Sequence, residues 1–309
     1  MADINANLVK QLRDMTGAGM MDCKKALVAT DGNLEEAVVY LRKQGIASAG
    51  KKESRATKQG LIASFIGPDA RAGVLVEINC ESDFVARTED FQALAADVAA
   101  HIAETKPAAR EILYEQNFIR DQSTTVGEFV KTKIAKLGEN IAVSRFVVYE
   151  VSGTGALGNY IHPGGQIGVM VEMQAGSAEI TSNAEFIKLT HDIAMQVAAA
   201  HPDFVSKEDV PHDLLEKERS IQRDRALGEG KPEKMVDKIA EGRMSKFYEE
   251  VCLLEQPFIR ENTISVAELI KTAAAKLGSS INVARFSRYK VGDAMDAPGV
   301  QESPIPVTV

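Results

Sequence analysis

The sequence predicts an α+β fold, three short N-terminal helices followed by a duplicated core of antiparallel sheet and helices. Three observations lead there. Apolar residues recur at helical spacing from Ile4 to Leu41. Beyond residue 60, alternating apolar runs and amphipathic helical patterns follow one another. Finally, the chain matches itself. Gly168-Val-Met-Val-Glu-Met-Gln174 answers Gly73-Val-Leu-Val-Glu-Ile-Asn79 at an offset of 95 residues, and Glu255-Gln-Pro-Phe-Ile-Arg260 answers Glu115-Gln-Asn-Phe-Ile-Arg120 at an offset of 140. The second match runs on through Lys136-Leu137-Gly138 against Lys276-Leu277-Gly278, Arg145-Phe146 against Arg285-Phe286, and Tyr149 against Tyr289. A fixed internal offset marks a repeated supersecondary unit. The step from 95 to 140 gives the second copy an insertion of 45 residues.

The elements follow in order. Ile4, Leu8, Leu12 and Met15 share a helix face. Thr16-Gly17-Ala18-Gly19 breaks that helix, since glycine adopts the positive φ of a tight turn. The next helix presents Cys23, Ala26 and Leu27 to the core, and of Met20 and Met21 one belongs to the core and the other to the surface. Asn33 caps a third helix, which buries Leu34, Ala37, Val38 and Leu41 and stops at Gly45. These helices make a domain over 1–45. Residues 46–59, basic and without an apolar period, form a linker.

Copy one spans 60–151: a hairpin turning at Pro68-Asp69, a helix from Glu89 to Glu104 that buries Phe91, Leu94, Val98 and Ile102, a helix from Val126 to Leu137, and a closing strand from Ile141. Copy two spans 152–291, with a hairpin turning at Pro163-Gly164-Gly165, helices over 183–200 and 265–277, and a strand over 281–291. Its insertion, about 206–250, reads as a projecting antiparallel pair of helices. Leu214, Ile221 and Leu227 on the first face Met235, Ile239 and Phe247 on the return. Such a hairpin suits dimerisation, a partner contact, or a mere appendage. Residues 292–309, bearing Pro298, Pro304 and Pro306, read as a loose tail.

Bulk properties exclude several functions. A net charge of −8 and a pI of about 5.3 argue against nucleic acid as a partner, because neutralising phosphates needs a basic field. There is no long apolar stretch for a membrane and no basic-apolar leader, and three unpaired cysteines fit a reduced, cytoplasmic protein. Phosphate-binding loop, nucleophile elbow and zinc-helix motifs are missing, and the five histidines are scattered, so neither an enzyme nor a cofactor is expected.

The stretch that stands out is Asn79-Cys80-Glu81-Ser82-Asp83-Phe84-Val85-Ala86, between a strand and a helix. In copy two, Ser177-Ala178-Glu179-Ile180 replaces Ser82-Asp83-Phe84-Val85. The unit therefore folds without the Asp-Phe pair, which points Phe84 at something outside the chain. The alternative is that Phe84 plugs the copy-one core, as most phenylalanines do.

This stretch and Leu12-Arg13-x-x-Thr16-Gly17-Ala18-Gly19-Met20-Met21-Asp22-Cys23-Lys24-Lys25-Ala26-Leu27 resemble the two signatures of the elongation factor Ts family, the guanine-nucleotide exchange factors of elongation factor Tu. The resemblance continues through Lys136–Ile141, Glu241–Met244 and Gln256-Pro257-Phe258. It implies a ubiquitin-associated-like N-terminal domain and a partner, elongation factor Tu, bound both with GDP and free of nucleotide. It implies that Ser82, Asp83, Phe84 and Val85 form the loop that dislodges the nucleotide's magnesium. It sets Arg13, Met20, Met21, Lys24, Leu137 and His162 at the partner interface and turns Ile259 toward the partner's distal domain. It makes the inserted hairpin a homodimerisation element. Two departures stand out: Ser82 replaces the family's usual threonine, keeping the hydroxyl, and the Pro-bearing tail does not read as the further C-terminal helix of the better-studied relatives. The competing class is a protein-binding module of the ubiquitin-associated type on another scaffold, which leaves Asp83 and Phe84 without a role.

Overall fold

The computed structural model describes residues 4–293. Helix α1 (Ala6–Thr16) is capped by the Asn5 side chain and ends at Gly17, whose φ of 67° is the left-handed turn that glycine tolerates. α2 (Met20–Ala29) and α3 (Leu34–Gly50) complete a small bundle, with Asn33 capping α3 through the N–H groups of Glu35 and Glu36. Val9, Leu12, Cys23, Ala26, Leu27 and Ala37 form its core. α3 runs past Gly45, where the sequence suggested a stop. At Gly45 a Cβ would lie 3.0 Å from the Ala135 methyl, so the glycine there serves close packing and not a helix stop.

The next elements are β1 (Gln59–Ile66), β2 (Ala72–Cys80), a single turn α4 (Asp83–Ala86), α5 (Glu89–Thr105), a short α6 (Arg110–Glu115), a two-strand ribbon of β3 (Asn117–Phe118) and β4 (Asp121–Thr125), α7 (Val126–Leu137) and β5 (Ile141–Glu150). Then come β6 (Gly155–Ile161), β7 (Ile167–Ala175), a 3-10 turn over Ala178–Ser182, α8 (Ala184–Ala200), α9 (His212–Gly228), α10 (Glu233–Val251), a second ribbon of β8 (Pro257–Phe258) and β9 (Glu261–Ser265), α11 (Val266–Leu277) and β10 (Ile281–Lys290). The fold is α+β. One sheet has the order β1-β2-β5; the other, antiparallel, has the order β10-β7-β6. Neither α6 nor the ribbons were legible in the sequence. They are too short to show a period.

By contact density the described chain forms two compact units. The first holds the residues up to Phe65, Val76–Phe146 and Pro163–Gln166; the second holds Ile66–Leu75, Val147–His162 and the residues from Ile167 on. In the first, Phe91, Leu94, Val98 and Ile102 of α5 are buried, as are Ile134 of α7 and Val143 of β5. In the second, Phe186, Leu189, Ile193 and Val197 of α8 pack with Val169, Val171 and Met173 of β7 and with Ile270 of α11.

Several side-chain contacts recur at the two sequence offsets. Thr125 with Glu128 and Ser265 with Glu268 form capping boxes on α7 and α11. Arg120 pairs with Asp97 at 2.9 Å, and Arg260 with Asp192 at 3.0 Å. Lys136 pairs with Asp90 at 2.7 Å, and Lys276 with Glu185 at 2.8 Å. Arg145 Nε donates to Glu77 Oε2 at 2.7 Å, and Arg285 Nε to Glu172 Oε2 at 2.8 Å.

α9 and α10 lie antiparallel, laced by Arg219–Glu241 (3.5 Å), Arg223–Asp237 (3.1 Å) and Arg243–Glu229 (2.6 Å). Their seam differs from the expected one. Ala226, Val236, Ala240 and Met244 are buried, while Ile221, Leu227 and Met235 are exposed. Ala226 and Ala240 fill positions of the seam where the sequence pattern favoured larger apolar side chains. Among the described residues, no helix is long and apolar enough to cross a membrane. The tail from residue 294 lies outside the described residues, and with it the expectation about the C-terminal helix.

Candidate functional site

The Asp-Phe stretch sits where β2 hands over to α5. Ser82 has extended backbone and caps α4, its Oγ accepting the Val85 N–H at 3.4 Å. One turn later Thr88 caps α5 by accepting the Phe91 N–H at 3.3 Å. The turn aims Ala86 into the core and leaves Phe84 outside, 81% exposed. Phe84 therefore does not plug the core. Asp83 accepts from Arg87 at 2.9 Å, an exposed pair of small energetic weight. Val85 is half-buried.

A corner between α7 and β5 holds this loop in place. Glu139 Oε2 accepts the backbone N–H groups of Glu81 (3.1 Å) and Ser82 (2.9 Å), and Oε1 accepts the Ser82 hydroxyl (2.6 Å). In the other direction Glu81 Oε1 accepts the Asn140 N–H at 2.7 Å. The Asn140 amide then donates to the carbonyls of Glu53 and Arg55, and Lys52 Nζ donates to the Gly138 carbonyl at 2.7 Å. That Asn140 bond, with the Arg55 guanidinium beside it, holds the Glu81 carboxyl below its usual range against a smaller opposing effect of burial. Beneath the loop, burial and then the Glu139 charge push the Cys80 thiol up to about 12.

The same corner touches the N-terminal bundle. A Cβ on Gly17 would lie 2.6 Å from Lys136 Cε, so the α1–α2 turn rests against Lys136, which also reaches Asp90 in the first turn of α5. A cleft of about 490 Å³ opens there, lined by Met15, Thr16, Gly19, Arg42, Ala135 and Lys136 among others. Leu137, half-buried, closes α7 just before Gly138 takes a left-handed φ of 83°.

Arg13, Met20, Met21 and Lys24 are all exposed on the bundle. The expectation that one methionine belongs to the core is corrected: Met20 is 54% and Met21 64% exposed. Both stand in the first turn of α2, ahead of Cys23, the first residue that α2 buries. Thus the first unit brings the bundle, the Asp-Phe loop and Leu137 onto one connected framework.

The other two candidates belong to the second unit. His162 is exposed at the hairpin tip, its Nδ1 3.1 Å from the Tyr160 hydroxyl, and Tyr160 meets the His191 ring edge-on at 5.8 Å. Ile259 is exposed, with its N–H bonded to Gln196 Oε1 at 2.9 Å. No group of residues that could hold a metal ion occurs among the described residues.

Glu81 lies in the stretch that stands out and Lys136, Glu139 and Asn140 in the stretch 136–141 that carries the resemblance, but the sequence alone assigns none of the four a role at the site. A signal existed: the matched stretches 136–141 and 276–281 agree at Lys, Leu, Gly and Ile and part only at Glu139-Asn140 against Ser279-Ser280.

The family model described as Elongation factor TS matches residues 81–293. The elongation factor Ts of Trichlorobacter lovleyi is 44% identical over 293 residues, covering 95% of this chain and 94% of its own length. That of Nostoc punctiforme is 45% identical over 299 residues, covering 96% and 95%. That of Aquifex aeolicus is 44% identical over 289 residues, covering 92% and 96%.

Proposed function

We propose, from the premise that this chain belongs to the elongation factor Ts family, that it binds elongation factor Tu carrying GDP, disturbs the coordination of the nucleotide's magnesium and promotes GDP release so that GTP can bind. The family makes the chain a translation elongation factor, an exchange factor rather than an enzyme. The observation that carries the finer reading is the exposed Phe84, held on a capped turn with Asp83 beside it.

The energetics support that reading. Phe84 entering an apolar pocket on the partner gains about 2–3 kcal/mol of burial. Magnesium demands near-ideal octahedral geometry and bridges protein to phosphate, so a small shift of the loops around it costs much of the nucleotide's affinity. The coupling is reciprocal: a factor that weakens GDP binding is itself bound more weakly when nucleotide is present. Nucleotide-free elongation factor Tu is then the tight partner, and arriving GTP ejects the factor. No covalent step is asked of this chain.

In the same reading Arg13, Met20, Met21 and Lys24 dock the ubiquitin-associated-like bundle on the partner, where exposed methionines adapt to irregular contacts. Leu137, His162 and Ile259 extend that interface. The α9–α10 hairpin, with Ile221, Leu227 and Met235 exposed, is the surface for a second copy of the chain. We read residues 60–291 as a duplicated unit, supported by the recurring capping boxes and ion pairs, and the protein as cytoplasmic.

The test is release of a fluorescent GDP analogue from elongation factor Tu in millimolar magnesium, with and without the factor. Strong acceleration is expected. An unchanged rate with a cognate partner overturns the reading.

A further inference from the structure

The contacts of Glu139 carry a role beyond closing a corner. Its carboxylate takes three hydrogen bonds from the Asp-Phe loop: the N–H groups of Glu81 and Ser82 and the Ser82 hydroxyl. Ser82 is thereby doubly used, donating to Glu139 while its oxygen accepts the Val85 N–H. The turn that presents Phe84 is thus tied through one hydroxyl to the corner that follows Leu137. Glu81 returns the contact by accepting the Asn140 N–H. Hydrogen bonds to an ionised acceptor are stronger than neutral ones, and linked bonds reinforce one another.

The sequence-matched corner in the second unit closes differently. Gly176 and Ser280 stand there in place of Glu81 and Asn140, and the Gly176 N–H bonds directly to the Ser280 carbonyl at 2.9 Å. A Cβ on Gly176 would lie 2.6 Å from Ser280 Oγ, so a side chain there would have to displace that hydroxyl. A strand, turn and helix of this type therefore close without a carboxylate. The pair of carboxylates occurs beside Asp83-Phe84, and the corner that lacks them holds Ala178-Glu179 instead.

We propose that Glu139 is a positioning residue for nucleotide exchange: with Glu81 it clasps the Asp-Phe loop to the α7–β5 corner, so that Phe84 and Leu137 meet the partner as one preorganised body. The inference rests on the exchange-factor reading above. Preorganisation places the ordering cost in the free factor rather than in the complex.

The test uses the full chain with Glu139→Ala and Glu139→Gln. Two readouts separate positioning from mere stability: GDP release across a range of factor concentrations, and hydrogen exchange of the Glu81, Ser82, Val85 and Gly176 amides in the free factor. Glu139→Ala is expected to slow GDP release at saturation by roughly ten- to a hundredfold, the weight of charge-assisted bonds, with the half-saturating concentration changed by less than about threefold. The Glu81, Ser82 and Val85 amides lose protection while Gly176 keeps it. Glu139→Gln, which keeps one acceptor oxygen, falls between Ala and the native residue. It carries the test alone if the alanine variant does not fold. Native saturating rates in both variants, or unchanged protection at Glu81 and Ser82, overturn the inference while leaving the exchange reading intact. A native factor that does not accelerate release overturns the exchange reading, and this role with it.

Discussion

His101 and Gln116 meet in the interior of the first unit, His101 Nε2 lying 3.0 Å from Gln116 Oε1. His101 Nδ1 accepts the Ile119 N–H at 3.3 Å, so the proton of the neutral ring belongs on Nε2 and is donated to Gln116. Both nitrogens are satisfied only when the ring is uncharged, and burial holds its pKa below the ordinary 6.5. At the matching positions of the second unit a glutamine does the same work. Gln196 Nε2 donates to Gln256 Oε1 at 3.1 Å, and its Oε1 accepts the Ile259 N–H at 2.9 Å.

The first prediction follows from that pair. With the folded pKa depressed, the unfolded chain binds more protons, so the stability from a neutral His101 is complete above 6.5 and is lost as pH falls toward the folded value. His201, held low by burial and Arg288, adds a contribution of the same sign. His101→Gln is expected to fold like the native chain at neutral pH and to lose part of its destabilisation in mild acid. Urea unfolding on either side of 6.5 measures this; a variant with the native pH slope refutes it.

Phe84→Ala separates function from stability. The side chain is 81% exposed, so stability should stay within the scatter of an ordinary surface substitution, about 0.5 kcal/mol. Exchange measured well below saturation should fall by roughly 30- to 150-fold, the equivalent of about 2–3 kcal/mol of lost burial. A variant that loses stability instead of exchange would return Phe84 to the core.

The thiols offer a reporter of loop opening. Burial first, and the Glu139 charge second, push Cys80 up to about 12, and burial pushes Cys252 up to about 11. The thiolate is the reactive species, and a thiol held this far above its ordinary range is scarcely ionised at about pH 8. Iodoacetamide should therefore leave Cys80 and Cys252 unmodified in the folded protein and modify them as urea is raised. Modification of Cys80 in buffer at a rate near that of a free thiol would show that the loop does not hold its closed form.

Much of the fold was legible because amphipathic helices with clear caps announce their own ends. The helix expected from Val126 to Leu137 has those bounds, with Gly138 as its C-cap. What the sequence hid depends on distances between segments. Gly45 looks like a helix stop until Ala135 is seen packed against it. The hairpin seam looks like a leucine–isoleucine stripe until Ala226 and Ala240 are seen buried and Ile221 and Leu227 exposed. The site divides the same way. Asp83 and Phe84 stood out because the sequence-matched stretch 177–180 lacks them, whereas Glu139 acts on backbone N–H groups some 57 residues away, a contact that no local pattern encodes.

The last prediction concerns the buried pair that joins β5 to β2. Arg145 and Glu77 are 7% and 3% exposed, and Glu77 also accepts from Asn79 Nδ2 at 3.0 Å. Taking two charges out of water is costly, and their attraction repays that cost only while both remain. Arg145→Met takes away the guanidinium that faces the buried Glu77 carboxylate and should cost about 3–5 kcal/mol of stability. Arg145→Met combined with Glu77→Leu removes the stranded charge and should recover most of that loss, so the two substitutions are strongly non-additive. The matched pair gives an internal comparison. Arg285 is 30% exposed, so water can reach its side of the pair with Glu172, and Arg285→Met should cost less than Arg145→Met. Urea unfolding of these three variants and of Glu77→Leu alone, beside the native chain, decides it. Additive losses in the double variant, or equal costs at Arg145 and Arg285, would show that burial of the charge does not set the penalty.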